Sequence, residues 1–430
     1  MSQSVTDSTS PTEDIARQVG LRADRARQAS RVLARATRDW KDRALRAIAA
    51  SLDERRASVK AANAEDLERG RAAGTTDGLL DRLKLDDARI DALMAALEEL
   101  AGLPDPVGTV QRGQTLPNGL RLRQVHVPMG VLGTIYEARP NVTVDIAGLA
   151  LKSGNAVLLR GGSAAARSNE ALLYLIRDAL ESVGLPADIV QSVDDFGRAG
   201  ATALMGARGK VDVLIPRGGH DLIQTVLQNA QVPVIETGEG NVHIFVDASA
   251  SAESAAAILL NAKTQRPSVC NTVETLLLHA QAPAAPEVLK ALSQAGVTLH
   301  GDERAMALME GLRAVPATEE DWAREYMDLD LAVAVVDDLD AALEHIRTWT
   351  TGHTEAILTN DLAHAERFVA EIDSAAVIVN ASTRFTDGGQ LGLGAEVGIS
   401  TQKVHARGPM GLRELTTTKW IVQGDGHIRS

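Results

Sequence analysis

The sequence predicts an α/β protein: two parallel-sheet segments follow a helical N-terminal stretch, and a small β ribbon stands apart from both sheets. Three observations lead there. Short, largely apolar strand-like runs alternate with helical patterns from Pro128 to about Asp247, and again from about Ala250 to Gly408. That alternation belongs to βα units whose strands are covered on both faces. Ahead of them, from Glu13 to about Leu103, apolar residues recur at three- and four-residue steps, as in Val32, Ala36, Trp40, Leu45, Ile48 and Leu52, the period of amphipathic helices. Between helices and sheet, Leu120 to Val127 alternates apolar and polar after an Asn118-Gly119 turn signal. This is the pattern of an antiparallel strand with one exposed face. The late β-prone segment Thr416–Val422 is its expected partner.

Composition bounds the rest. A chain of 430 residues exceeds one core, so about two to three domains are expected. With 3% aromatic residues, those cores must be built from Ala, Val, Leu and Ile. The net charge of −13 argues against a nucleic-acid partner, which needs a basic surface. The Arg-rich face of the N-terminal helices is interspersed with Asp and Glu and reads as a solvated surface. No apolar run approaches the roughly 18 residues of a membrane span. The N-terminus lacks the basic and apolar regions of a signal peptide, and residues 1–12 read as a disordered tail. A single cysteine suits a reducing compartment. The expectation is a cytoplasmic protein with no membrane partner.

Taken in order, the expected strands are Val131–Tyr136, Val157–Arg160, Val211–Pro216, Val234–Glu236 and Val242–Asp247, with helices at Ser163–Val183 and Gly219–Leu227. The second segment is expected to hold strands at Val273–Leu278, Leu331–Val336, Ala356–Leu358 and Ala376–Asn380. Two turns in the first segment invite phosphates. Arg160, Gly161, Gly162 and Ser163 end one strand and open a helix; Arg217, Gly218 and Gly219 do the same for another. Backbone N–H groups at a helix start favour anions, and glycine permits close approach. Neither turn is GxGxxG or a P-loop, so each alone also reads as a plain turn. Together, with an arginine at each, they point to a dinucleotide, and an arginine there suits a ribose 2′-phosphate.

Cys270 stands between an apolar helical run and a strand-like run. It is either a small buried hydrophobe or a thiolate nucleophile. Asn141 follows a proline after a strand and reads as a turn residue or as an amide donor to an oxyanion. Glu236, ending a strand, reads as a loop carboxylate or a general base. Lys263 and Arg266 lie near Cys270 in sequence, as helix surface charges or as phosphate and thiolate partners. His345 and His353 flank Trp349 with Gly352 between them; they are not expected to share a helix face, and no metal-ligand spacing occurs elsewhere.

These motifs together resemble the aldehyde dehydrogenase superfamily over about residues 13 to 425. The likeness is carried by Pro128–Val131, Tyr136–Thr143, Lys152–Ser163, Ile215–Gly219, Glu236–Asn241, Gln265–Asn271 and Val336–Ile357. Trp349 and Thr350 depart from it, where His or Tyr and Gly or Ser are usual. The resemblance implies an aldehyde-dehydrogenase-like fold: a Rossmann-type cofactor domain, an α/β catalytic domain and a small β oligomerisation ribbon. The expected division is a cofactor domain of 13–107 and 128–238, a catalytic domain of 239–408, and a ribbon of 108–127 and 409–430.

The likeness is to members that reduce an acyl phosphate. It implies Cys270 as nucleophile, Asn141 as oxyanion amide and Glu236 as the glutamate that precedes the nucleophile, a proton relay or a structural group. Glu325 is implied to hold the nicotinamide ribose, and Arg160 the adenosine ribose. Arg139, Lys263, Arg266, His353 and Thr354 are the expected substrate residues. The implied reaction is reduction of L-glutamyl 5-phosphate by NADPH through a thioester. At least a homodimer, and coupling to glutamate 5-kinase, are implied with it. Another acyl-phosphate or aldehyde dehydrogenase of the superfamily, a thiol hydrolase using Cys270 and His353, and a non-catalytic oligomeric binding protein are the competing readings.

Overall fold

The computed structural model describes residues 10–137 and 139–429. Most of the expected tail therefore lies outside the described residues. Its last residues are not tail: Ser10 accepts from the Glu13 N–H while Glu13 reaches back to the Ser10 N–H, and this capping box starts a helix at Pro11.

The chain divides into two compact units. The first comprises residues 1–236, 393–397 and 410–430; the second, 237–392 and 398–409. The ribbon segments thus group with the first unit.

The first unit opens with helices α1 (Pro11–Leu33), α2 (Arg38–Glu54), α3 (Arg56–Ala72), α4 (Asp77–Leu83) and α5 (Asp87–Gly102). Two strands follow, β1 (Val110–Thr115) and β2 (Arg121–Pro128), joined through Gly119 at φ 90°, a conformation glycine adopts without strain. Strands β3 (Val131–Tyr136), β4 (Ala156–Arg160), β5 (Val190–Ser192) and β6 (Val213–Arg217) form a parallel sheet in the order β5-β4-β3-β6. The expected strand at Val234–Glu236 reduces to a single bridge from Val234 to Leu214. Helices α6 (Asn141–Lys152), α7 (Ala166–Ser182) and α8 (Gly197–Met205) connect these strands, and α9 (His220–Asn229) follows β6. The chain winds from β3 outward to β5, then returns to place β6 on the other side of β3. The strand order therefore reverses at β3/β6, and the carboxyl ends of these strands form the crevice where open α/β sheets take ligands. Lys152, wholly buried at the end of α6, bonds Asp42 of α2 and the Ala101 carbonyl, which fixes α6 against the helical layer.

The second unit holds β7 (Val242–Val246), β8 (Val273–His279), β9 (Thr298–Gly301), β10 (Ala314–Pro316), β11 (Asp330–Val336), β12 (Thr354–Leu358) and β13 (Ala376–Val379). They make one parallel sheet, β10-β9-β11-β8-β7-β12-β13. Helix α10 (Ala252–Thr264) links β7 to β8. Its Leu259 and Ala262 join Ile244, Val273 and Leu276 in the core. A short antiparallel pair, β14 (Ile399–Ser400) and β15 (Gly408–Pro409), completes this unit.

The last strand, β16 (Thr416–Gln423), belongs to the first unit and pairs along all of β2, from Thr416↔Pro128 to Gln423↔Arg121. The ribbon is therefore the three-stranded antiparallel sheet β1-β2-β16. No helix among the described residues is long and apolar enough to cross a membrane.

Candidate active site

Each unit gathers part of the expected chemistry. In the second, the segments entering β7 and β8 run side by side at the amino ends of the sheet. A Cβ placed on Gly240 would lie 1.5 Å from the Cys270 carbonyl oxygen, so no other residue fits without moving the cysteine's backbone. Four neighbours fix the Gly240 turn. Its N–H donates to Glu325 Oε1 at 3.1 Å, and the Asn241 N–H donates to Thr351 Oγ1 at 3.0 Å. The Asn241 amide donates to the carbonyls of Trp322 and Trp349 at 2.7 and 2.8 Å. On the other side, Thr272 closes the cysteine's own turn by donating from Oγ1 to the Arg266 carbonyl at 2.8 Å. Cys270 itself is half-exposed. A rigid backbone under a reachable side chain is the arrangement a nucleophile requires.

Glu325 serves here as a clamp on Gly240, and burial holds its carboxyl above the usual range. The unusual Thr350 also has a partner: its hydroxyl donates to Glu355 and accepts from the Gly352 N–H. Glu355 is buried, and its other oxygen accepts from the His243 N–H at 2.8 Å. The departures at Trp349 and Thr350 therefore sit in the scaffold that holds Glu239 to Asn241.

Three expected substrate residues of this unit take other places. Lys263 is fully buried and donates to Glu274 Oε2 at 2.6 Å. Helix α10 turns it toward the sheet, away from the solvent a substrate phosphate must arrive through. Burial lowers the Lys263 ammonium and raises the Glu274 carboxyl to about 7, while each partner's charge opposes the shift. Glu274 also accepts from the Met327 N–H at 3.2 Å, so the pair anchors the loop carrying Glu325. His353 and Thr354 are fully buried at the start of β12 and bond each other at 2.8 Å. Burial pulls His353 down to about 4, and its Nε2 meets no hydrogen-bond partner. It is a neutral interior ring that does not bond Cys270, which removes the base from the thiol-hydrolase reading. His345 packs edge-on to Trp322 and His243 and, largely through burial, is lowered to about 4 as well. Arg266 remains exposed.

In the first unit, both glycine turns follow strands at the carboxyl edge. Gly161 donates to Asp194 Oδ1 at 2.7 Å, and a Cβ there would meet the Asn169 amide at 2.1 Å. Ser163 opens a short 3-10 turn before α7 rather than the helix itself. Gly219 caps α9 directly, and its N–H donates to Glu137 at 3.1 Å. Carboxylates of the chain thus already satisfy one N–H in each turn, as expected where backbone donors favour anions. Arg160 is half-buried and reaches the Gly197 carbonyl at 3.4 Å; Arg217 stands half-buried at the end of β6, and Gly162 and Gly218 complete the turns. Arg139 lies in the short link between β3 and α6. Asn141 begins α6, half-buried, with its amide donating to Asp145 Oδ2 at 3.0 Å. Glu236 is the last residue of the first unit before the division, and burial raises its carboxyl.

The model of the aldehyde dehydrogenase family matches residues 4–308. The chain belongs to this family. Its relatives include a gamma-glutamyl phosphate reductase of Kineococcus radiotolerans, 61% identical over 94% of this chain and 95% of the relative. Another, of the same name from Thermobifida fusca, is 58% identical over 97% of this chain and all of the relative. The crystal structure of gamma-glutamyl phosphate reductase from Thermotoga maritima superposes with a TM-score of 0.93, at 48% identity over 96% of this chain and 100% of that one. For this family member, Gly240, Asn241, Thr351, Glu274 and Asp145 were not singled out from sequence. A glutamate inside the apolar run Val273–Leu278 was the one available signal, since a carboxylate in a covered strand requires a buried partner.

Proposed function

We propose that this oxidoreductase of the aldehyde dehydrogenase family reduces L-glutamyl 5-phosphate to L-glutamate 5-semialdehyde and releases phosphate, in proline biosynthesis. The observation that carries the reading is the Gly240–Cys270 contact, which holds a half-exposed thiol on an immobile backbone; the names of its relatives supply the substrate. The Cys270 thiolate attacks the acyl carbon, and the acyl–phosphate oxygen bond breaks as phosphate leaves with its electron pair. Asn141 donates to the oxygen on which negative charge develops. Because phosphate is a good leaving group, no water need be activated. The raised carboxyl of Glu236 then suits a proton relay better than a hydrolytic base. Arg139 and the exposed Arg266 are the cations proposed for the substrate's phosphate.

NADPH fits the first unit's crevice. Arg160 and Arg217 flank the two glycine turns, and the Arg217 guanidinium makes no hydrogen bond or ion pair among the described residues, which leaves it for a phosphate. Gly161, Gly162, Ser163, Gly218 and Gly219 line the approach, and Glu325 is the proposed ribose acceptor. The chemistry a bound NADPH supplies is hydride donation to the thioester. The ribbon supports a homo-oligomer, since β1 is exposed throughout and Trp420 and Val422 of β16 are largely exposed. A cytoplasmic setting suits a working thiol, and coupling to glutamate 5-kinase suits a labile acyl phosphate.

The test is phosphate-dependent NADP reduction by glutamate 5-semialdehyde. Cys270→Ala is expected to lower turnover roughly 10⁴-fold or more while NADPH fluorescence titration is unchanged. Appreciable turnover in that variant overturns the nucleophile assignment.

A further inference from the structure

Asp145 has a position that the reaction as described above does not use. It lies on the first turns of α6, which opens at the β3/β6 crevice. Val142 to Val144 and Ile146 to Lys152 around it are buried, whereas Asp145 itself is half-buried and reachable. Its Oδ2 accepts from the Asn141 amide at 3.0 Å. It forms no ion pair among the described residues. Burial raises its carboxyl to about 6, although the Asn141 bond and the charge of Arg217 pull the other way. A partly desolvated carboxylate with no cation bonded to it is a costly group to keep, and a hydrogen-bonding cation relieves that cost.

We propose that Asp145 receives the α-ammonium group of the substrate, so that the site selects an amino-acid acyl phosphate or aldehyde over its deaminated analogue. The proposal rests on the reading that Asn141 donates to the acyl oxygen. A carboxylate oxygen only accepts, so the bond to Asp145 turns the NH₂ end of the Asn141 side chain toward it. One amide N–H is thereby spent on Asp145 and the second is left for the acyl oxygen. The remaining carboxylate lone pairs are available to an ammonium. In a glutamyl chain the α-nitrogen is separated from the acyl carbon by on the order of 5 Å when extended. Neighbouring groups on successive turns of one helix span such a distance.

The experiment compares two aldehydes in phosphate-dependent NADP reduction: L-glutamate 5-semialdehyde, and 5-oxopentanoate, the same chain without the amino group. Wild-type protein is expected to prefer the amino aldehyde in kcat/KM by on the order of 10²-fold. Asp145→Asn is expected to lose that preference through a KM raised far more for the amino aldehyde than for 5-oxopentanoate, because the bond to Asn141 serves both substrates and the ammonium contact only one. Asp145→Ser is expected to do the same, and an unchanged NADPH fluorescence titration shows each variant is folded. Equal losses for both aldehydes, or a changed KM for NADP, would overturn the proposal, because Asp145 would then serve only Asn141 or the cofactor. Wild-type protein that oxidises neither aldehyde overturns the acyl-phosphate reading itself, and this proposal with it.

Discussion

Asn141 and Cys270 are each followed, four residues later, by a carboxylate whose acidity burial has weakened. The two carboxylates differ in what neutralises them. Glu274 is 1% exposed and bonds Lys263 at 2.6 Å, so its charge is met inside the chain, and its second oxygen holds the Met327 N–H. Asp145 is half-buried and bonds only the Asn141 amide, with the charge of Arg217 acting on it without an ion pair. A perturbed carboxyl therefore means different things in the two places. With an internal cation bonded to it, it is part of the scaffold; with none bonded, it is the proposed site for a cation that comes and goes.

The largest effect that would test this contrast is on stability. Glu274→Gln leaves the Lys263 ammonium buried without its counter-charge and is expected to destabilise by about 3–5 kcal/mol, whereas Asp145→Asn is expected to change stability by less than about 1 kcal/mol. Urea denaturation of both variants checks it, and similar losses would erase the distinction. Next, Gly240→Ala must displace the Cys270 backbone. It is expected to lower kcat on the order of 10²-fold and to alter the rate at which iodoacetamide labels Cys270; wild-type values for both would show that the contact does not position the thiol.

The smallest effect concerns pH. Burial lowers His353 to about 4, so the unfolded chain takes up a proton before the folded one does. The stability from keeping this ring neutral is full above its ordinary value and is lost as pH falls from there toward about 4. At pH 5 the loss is about 2 kcal/mol. His353→Gln should therefore shrink the fall in melting temperature between neutral pH and about pH 5, and an unchanged fall would contradict the assignment.

Much of the fold was legible because it rests on periodicity. The helical N-terminal region, the long strands of both sheets and the pairing of the ribbon near Leu120 with Thr416–Val422 all follow repeating apolar patterns. Strands of three or four residues, at Val190–Ser192, Thr298–Gly301 and Ala314–Pro316, are too short to show a period. The β1 sequence Val-Gln-Arg-Gly-Gln-Thr has none because it is exposed on every side. At the candidate site, the lone cysteine, the glycine turns and Asn141 could be picked out as chemical groups. Lys263 could not be placed, since closeness to Cys270 in sequence does not say which way α10 turns its side chain.

The sequence by itself determined the class of fold, the family and the inventory of reactive groups, because these depend on local spacing and residue type. Only the tertiary structure decided which groups face inward. It set Gly240 against the Cys270 carbonyl, put Lys263 on Glu274, buried His353 and left Asp145 without an ion pair. These outcomes depend on contacts between segments far apart in the chain and on the exclusion of water between them, and no local pattern encodes either.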